Sequence, residues 1–559
     1  MSTPQPTQAA PVLSDEQWSR LKRYGNEQLT EAGDILFQAG EAIADMILVE
    51  SGGIEILRPA GSDTDEAVVA GYGSRQFSGE LNLLTGQSTY LNARVSAPGA
   101  VYRVGPASFR RLMDEDPELS DIILRALLAR RENLRANAAA GSIVIVGDDL
   151  SAPAMALRTY AARQRQPHTW VVADTQAGET LTRAADAAPD DFPLVITATT
   201  VLRRATPSLL AEHLGLSYQH VHGRTLDLVV IGAGPAGLAA AVYGASEGLE
   251  TLILDSVAAG GQAAASSRIE NYLGFTSGIS GADLTARAAV QAQKFGARIA
   301  SPCEVAELST HGDTLRVVLK DGTEIDSRAA VIATGASYRS LPLPRWSEFE
   351  GAGIYYAATE LEARTCGPHP VAVVGGANSA GQAALYLAGR GSTVNLVVRG
   401  SDLGAGMSSY LADRILAHPA ITVRTSTEVT QLCGGDQLEA IQVRSNEAPT
   451  DAEVELDCRG LFCFIGARPA TDWLKGAAMD EDGFVLTDVD LTDVHLSDDL
   501  LQDRWADLGR RPLPFETSLP RVFATGDVRA GSMKRVAAAV GEGASAVRSV
   551  HMSLSTLTA

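Results

Sequence analysis

Two glycine-rich turns carry the residues best suited to chemistry. In the first, LDLVVIGAGPAGLAAAVYGASEGLETLILD, an apolar strand from Leu228 to Ile231 runs into Gly232-x-Gly234-x-x-Gly237 and then into a helix of small residues opened by Pro235 and Ala236. Gly232 permits a tight turn, Gly234 lets backbone approach a pyrophosphate, Gly237 lets the helix sit on the strand, and the helix dipole faces the phosphates. Asp255 ends the following strand, where a carboxylate can accept from ribose hydroxyls. The second turn lies in VAVVGGANSAGQAALYLAGRGSTVNLVVRG and reads Gly375-Gly376-Ala377-Asn378-Ser379-Ala380, so alanine stands for the middle and third glycines. Its second strand ends in Arg399 where an NAD site wants an acid. A guanidinium there suits a 2'-phosphate and favours NADPH over NADH, with Ser408 and Ser409 as further phosphate contacts.

Two such turns describe a flavoprotein that binds FAD and NADPH. AAVIATGAS, with Thr334 and Gly335, closes one strand and RVFATGDVR closes another, so the flavin domain resumes after an inserted NADPH domain. Asp527, after Gly526, is placed to accept from the ribityl chain. A helix beginning near Lys534 aims its N-terminus at the flavin N1–C2 edge, favouring the negative charge of reduced flavin.

The chain that must position these groups has 559 residues, enough for several domains. Its 46 Lys and Arg against 67 Asp and Glu give a net charge of -21, which argues against a nucleic-acid surface. At 45% hydrophobic residues with 53 glycines it can bury large cores and make many tight turns. No apolar run reaches membrane-span length and no secretory leader is recognisable, so a cytoplasmic protein without a membrane partner is expected. The nine histidines include no H-x-x-x-H or H-x-x-C pair, so no metal site is expected. The five cysteines, Cys303, Cys366, Cys433, Cys458 and Cys463, form no C-x-x-C pair. Cys458 and Cys463 read as opposite faces of one apolar strand, Cys366 as a loop thiol beside Gly367 and Pro368, and the acid-rich stretch from Asp488 to Gly509 as a solvated loop.

Ahead of the two turns lie two further modules. Residues 1–24 read as a tail with a packing helix, and residues 25–137 alternate short glycine-punctuated strands before a helical stretch. Gly33, Phe37, Gly40, Gly52 and the loop FSGELNLLTGQSTYLNARV resemble the cyclic-nucleotide-binding β-roll. The resemblance implies that Gly79 and Glu80 open a phosphate cassette, Glu80 taking the ribose. The arginine it requires nine or ten residues later is replaced by Thr89, Tyr90 and Leu91, leaving Arg94 as the substitute or the module as a degenerate docking or sensory unit. Residues 141–220, with SIVIVG, HTWVVAD and FPLVITAT, resemble the thioredoxin and glutaredoxin fold, Pro193 standing at that family's cis-proline. Its active pair falls on Ser151-Ala152-Pro153-Ala154, which hold no sulfur.

From residue 226 onward the chain resembles the low-molecular-weight thioredoxin reductases. The matching strings are GAGPAGLAAAVYGASEGLETLILD, GGQ, IENYLGF, ATGAS, VVGGANSA and ATGDVRAGSMKRVAAAVGEGASA. With the two N-terminal modules, the chain resembles bacterial reductase-like proteins fused to a cyclic-nucleotide-binding domain. The resemblance implies an α/β fold of two Rossmann-like three-layer domains: an FAD domain at 225–343 and 459–559, and an NADPH domain at 344–458. It implies FAD contacts from Gly261, Gln262, Asn271, Gly526 and Asp527, and from Lys534, Arg535 and Val536 where the family has Arg-Gln-Ala. It also implies a homodimer. The family's C-A-T-C disulfide aligns with Ala357-Ala358-Thr359-Glu360, where both sulfurs are absent. Tyr355, Tyr356, Thr359 and Glu360 would then line the flavin, with Glu360 a candidate proton donor. The expected activity is hydride transfer from NADPH to FAD and electron delivery to an unidentified small-molecule or protein acceptor. The alternatives are a redox-sensing flavoprotein whose N-terminal modules dock a partner, and a reductase gated by a cyclic nucleotide.

Overall fold

The computed structural model describes residues 8–41, 45–60, 66–136, 143–149, 151–197, 200–218, 224–266, 269, 272–311, 313–350, 353–356, 358, 360–446, 453–491, 505 and 508–555. Its centre is a seven-stranded sheet. Arg298–Ala300, Thr251–Leu254, Leu226–Ile231, the end of Glu324–Ile332 and Val522–Ala524 run parallel, and the meander Val305–His311, Thr314–Leu319 packs on the start of Glu324–Ile332. The parallel strands are near-continuous apolar runs because both faces are covered. Leu228 and Val230 meet Ala236, Leu238 and Val550 on one face, while Leu226 and Ile231 meet Leu308, Leu315 and Val317 on the other.

Small residues decide how closely the helices settle. Pro235–Ser246 starts behind Gly234, with proline where a missing N–H costs nothing. The C-terminal helix Val536–Ser555 lies directly on it. A Cβ on Gly543 would stand 2.1 Å from the Ala236 carbonyl oxygen, and one on Gly237 would stand 1.9 Å from that of Gly232. Backbone therefore touches backbone at both helix faces.

A second, five-stranded parallel sheet carries the other turn: Ile354–Tyr355, Gly460–Cys463, Val371–Val374, Val394–Val397 and Ile421–Arg424. The two sheets are joined where Ala336–Tyr338 pairs antiparallel with Ala467–Pro469.

The N-terminal roll is a six-stranded antiparallel sheet led by Met46–Arg58 and Asn92–Val104, closed by the helix Pro117–Ala136. Asp15–Leu21 packs Trp18 and Leu21 into its core. Beyond it, Ile143–Gly147, His168–Val172, Leu194–Ile196 and Val201–Leu202 form a four-stranded sheet, parallel for the first pair and antiparallel after, and the Phe192–Pro193 bond is cis. This module seats on the central sheet: Tyr160 donates to the Ser301 carbonyl at 3.0 Å, and Gln164 to the Ser301 hydroxyl at 2.6 Å. Arg165 pairs with Asp283 and, at 2.7 Å, with Glu132 of the long roll helix.

Replacing Gly543 by Ala should force the two helices apart, lowering stability by about 1–3 kcal/mol. Thermal melting and the flavin-to-protein absorbance ratio of purified Gly543→Ala check this; both should fall.

Candidate functional site

The first turn is built on backbone approach. Gly232 has φ +106°, and a Cβ there would stand 2.3 Å from the Ala333 carbonyl oxygen. Above it, a Cβ on Gly234 would have only the Gly261 Cα within reach, at 4.0 Å. The Gly260 N–H donates to the Ala233 carbonyl at 2.8 Å, and Gly260 and Gly261 both have positive φ, so the second glycine segment is pinned against the first. Gln262 then donates to the Ala336 carbonyl, linking this segment to the strand that follows Thr334 and Gly335. Thr334 donates to the Ala470 carbonyl at 2.9 Å, and the Ala470 N–H returns to Gly335 at 3.0 Å, so this pair ties the turn to the crossover between sheets.

Asp255 faces the same turn but is already engaged. Its carboxylate accepts from the N–H groups of Ala233 at 2.8 Å, Val257 at 2.9 Å and Ala258 at 2.8 Å. A carboxylate has about four acceptor positions, so one remains for a ribose hydroxyl. Burial pushes its pKa upward, against those donors.

Across the cleft Thr525, Gly526 and Asp527 end the last central strand. The Gly526 N–H donates to Glu542 at 2.8 Å, and Glu542 also accepts from Arg529 at 2.8 and 3.1 Å. This clamp fixes the Gly526 turn to the C-terminal helix, and the sequence reading passed over both of its residues although they lie within the matched string. Asp527 is half-buried, and burial raises its pKa while Lys534 opposes the rise. The helix itself begins at Val536, slightly later than expected, with Lys534 and Arg535 exposed ahead of it; Lys534 stands 4.1 Å from the Phe484 ring.

The residues present fit FAD. The Thr525 hydroxyl oxygen is buried without a hydrogen-bond partner among the described residues, the space beside Gly234 is open with the Gly261 Cα its nearest neighbour at 4.0 Å, and the first turns of Pro235–Ser246 and Val536–Ser555 meet at Gly526, where a Cβ would stand 2.9 Å from the Ala236 Cβ and 3.6 Å from the Ala539 Cβ.

The second turn reproduces this cradle with different residues. Gly375 has φ +139°, and a Cβ there would stand 2.2 Å from the Phe464 carbonyl oxygen. It would also stand 3.2 Å from the Ala380 Cβ, so the absent side chain of Gly375 makes room for alanine in place of the third glycine. Ala377 is the N-cap of Asn378–Gly389, and Asn378 accepts from the Ser408 N–H at 2.8 Å and its hydroxyl at 3.1 Å. Ser379 and Arg399 are exposed, and Arg399 makes no hydrogen bond or ion pair among the described residues.

The expected flavin-lining residues divide. Tyr356 accepts from the Trp346 indole at 2.9 Å and donates to Glu350, and burial followed by Glu350 pushes its pKa up. Its hydroxyl is therefore held in the core beside the five-stranded sheet. Glu360 begins the helix Glu360–Cys366; its side chain, Thr359, Ala357 and Asn271 lie outside the described residues. Two expectations for the cysteines are corrected. Cys366 is the last residue of a helix, not a loop thiol, and its sulfur lies where a Cβ on Gly460 would come within 2.5 Å. Cys458 and Cys463 share one apolar core rather than opposite faces, because Cys458 precedes the strand. Of the acid-rich stretch, residues 492–504, 506 and 507 lie outside the described residues.

The family model of the pyridine nucleotide-disulphide oxidoreductases matches residues 226–543. The chain belongs to that family. Among its relatives, the thioredoxin reductase of Treponema pallidum is 31% identical over 59% of this chain and 98% of its own length. The NADPH-dependent thioredoxin reductase 3 of Arabidopsis thaliana is 31% identical over 59% of this chain and 58% of its own. The solved thioredoxin reductase of T. acidophilum superposes with a TM-score of 0.51 at 27% identity, covering 59% of this chain and 98% of that one. The cyclic nucleotide-binding domain model matches residues 27–116. The reductase portion is thus of thioredoxin reductase type, an enzyme family that uses FAD and NADPH. Among the described residues, no helix is long and apolar enough to cross a membrane and no cluster of metal-ligating side chains occurs.

Two outcomes follow from this geometry. Because burial holds the folded pKa of Asp527 above the ordinary value near 4, ionising it opposes folding, and that cost is absent below pH 4 and grows as pH rises through the folded pKa. Flavin-free Asp527→Asn should therefore melt no lower than wild type at pH 7, with the difference vanishing toward pH 4, while equilibrium dialysis shows weaker FAD retention. Arg399→Ala should raise the KM for NADPH about tenfold, as expected for one lost charge-assisted contact, and leave that for NADH unchanged in steady-state assays.

Proposed function

We propose that this chain is an NADPH-dependent FAD oxidoreductase of thioredoxin reductase type that delivers electrons to an external acceptor without an internal redox disulfide. The position of its sulfur carries the reading. Residues 357–360 contain none, and all five cysteines are free. Burial pushes Cys366 and Cys458 up to about 12 and Cys463 up to about 11, and it raises Cys303 and Cys433 as well. A thiol kept protonated neither attacks a disulfide nor exchanges with one.

Bound FAD supplies two-electron chemistry, accepting hydride from NADPH and giving both electrons to the acceptor. The protein's part is to hold and orient. The Gly232–Ala236 turn and its helix N-terminus take the pyrophosphate, with Asp255, Gly261, Gln262, Asn271, Thr334, Gly335, Gly526, Asp527, Lys534, Arg535 and Val536 around the remainder. Gly375 to Ala380 and Arg399 take NADPH. By the family alignment Thr359 and Glu360 would face the acceptor, with Glu360 the proton donor, while Tyr356 would orient that segment through Trp346 and Glu350. The domain limits, the homodimer, the cytoplasmic location and the thioredoxin-like reading of residues 141–220 belong to the same proposal. A second reading, a flavoprotein whose N-terminal modules dock a partner, is favoured by the Tyr160–Ser301 and Arg165–Asp283 contacts.

The test is a variant with Ala at all five cysteines. Anaerobic NADPH should bleach its visible flavin absorbance, and steady-state NADPH oxidation against disulfides, quinones and oxygen should proceed at the wild-type rate with the same preferred acceptor. Loss of turnover in a variant that still holds and reduces its flavin would overturn the disulfide-free route.

A further inference from the structure

The N-terminal roll encloses a cavity of about 290 Å³ between its sheet and the helix Pro117–Ala136. Phe37, Ile56, Val69, Leu83, Leu91 and Leu134 supply its apolar wall. The cationic groups that an anion would need there are already engaged. Arg130 is buried and donates to the carbonyls of Ala9, Phe77 and Gly79, each at 2.7 Å, with its face over the Tyr72 and Phe77 rings at 4.7 and 4.8 Å. Arg131 is buried and spans both oxygens of Glu80, the residue expected to take a ribose, and also donates to Gln87 at 3.2 Å.

The other expected cation is no nearer. Arg94 pairs with Glu66 at 2.8 Å and Glu55 at 3.5 Å and is not part of the cavity wall. Tyr90, in the stretch where a phosphate-binding arginine would stand, is fixed by its hydroxyl to Gln166 and Gln87. Asp45 and Glu80 also line the space, each already paired, Asp45 with Arg103 at 2.8 Å and Glu80 with Arg131, so neither pair leaves a guanidinium free for an anionic ligand. A phosphate drawn into this cavity would lose its hydration and find no free guanidinium to replace it. An uncharged apolar molecule loses little hydration and gains the whole wall.

We infer that the roll binds an uncharged, largely apolar ligand, of about 15–20 heavy atoms in keeping with a small pocket, and excludes cyclic nucleotides. The probe is N-phenyl-1-naphthylamine, a neutral dye whose fluorescence rises in apolar surroundings, compared with its sulfonated relative 8-anilinonaphthalene-1-sulfonate on the full-length FAD-loaded protein. The neutral dye should bind saturably, and the sulfonated dye roughly tenfold more weakly or worse. Neither cyclic AMP nor cyclic GMP should displace it. Ala70→Trp, which fills the cavity from the sheet, and Asn133→Trp, which fills it from the exposed side of the helix, should each weaken the neutral dye roughly tenfold while flavin absorbance and melting temperature hold. If Ala70→Trp misfolds, Asn133→Trp alone decides. Equal affinity for the two dyes, displacement by a cyclic nucleotide, absence of saturable binding, or binding indifferent to the folded variants would each overturn the inference.

Discussion

Backbone contact between Gly543 and Ala236 is the constraint on which the rest of this molecule depends. The first fingerprint helix is clasped between the central sheet, reached through Gly237, and the C-terminal helix, reached through Gly543. Neither side tolerates a Cβ. That closeness brings the first turns of both helices, at Ala236 and Ala539, together over Gly526 and puts Glu542 within reach of the Gly526 N–H. The dinucleotide cradle is therefore a product of tertiary packing between segments from opposite ends of the domain, and the local turn is only one half of it.

The proposed function turns on the placement of sulfur. Cys458 and Cys463 pack in an apolar core and Cys366 closes a helix against Gly460, where thiols serve as small hydrophobes. On the proposed reading, the chain keeps the hydride half of the family chemistry and exports its electrons without a disulfide. The N-terminal roll departs in the same way: its cassette glutamate is neutralised from within by Arg131, so the architecture survives while its polar recognition is spent on internal structure.

Much of the reductase was legible before any coordinates because its glycines are imposed by sterics that leave a local record. Gly232, Gly237 and Gly375 stand where a side chain would strike a carbonyl oxygen, and such positions recur at fixed spacing. What could not be read were pairings between distant segments. Nothing local announces that Glu542 meets Arg529, that Tyr356 is held by Trp346 and Glu350, or that Arg131 reaches Glu80. Asp255 shows the limit of a motif: its position at the strand end was evident, but three of its acceptor positions serve backbone N–H groups. The Ala380 substitution, a weakness when read as text, is accommodated by the missing Cβ of Gly375.

Polar contacts, and at the last step a close backbone approach, join the roll to the central sheet's first turn. Glu80 holds Arg131, whose guanidinium also donates to the Arg165 carbonyl at 3.4 Å. Arg165 pairs with Asp283, in the first turn of the helix Gly281–Lys294. That helix begins at Gly281, whose absent Cβ would stand 1.6 Å from the carbonyl oxygen of Ala263, next to Gln262. Thermodynamic reciprocity then governs the two ends: whatever free energy an occupant of the roll transmits to the flavin cradle, flavin returns in equal measure to the occupant. The ratio of the roll ligand's affinities for flavin-loaded and flavin-free protein is the direct measure of that shared free energy.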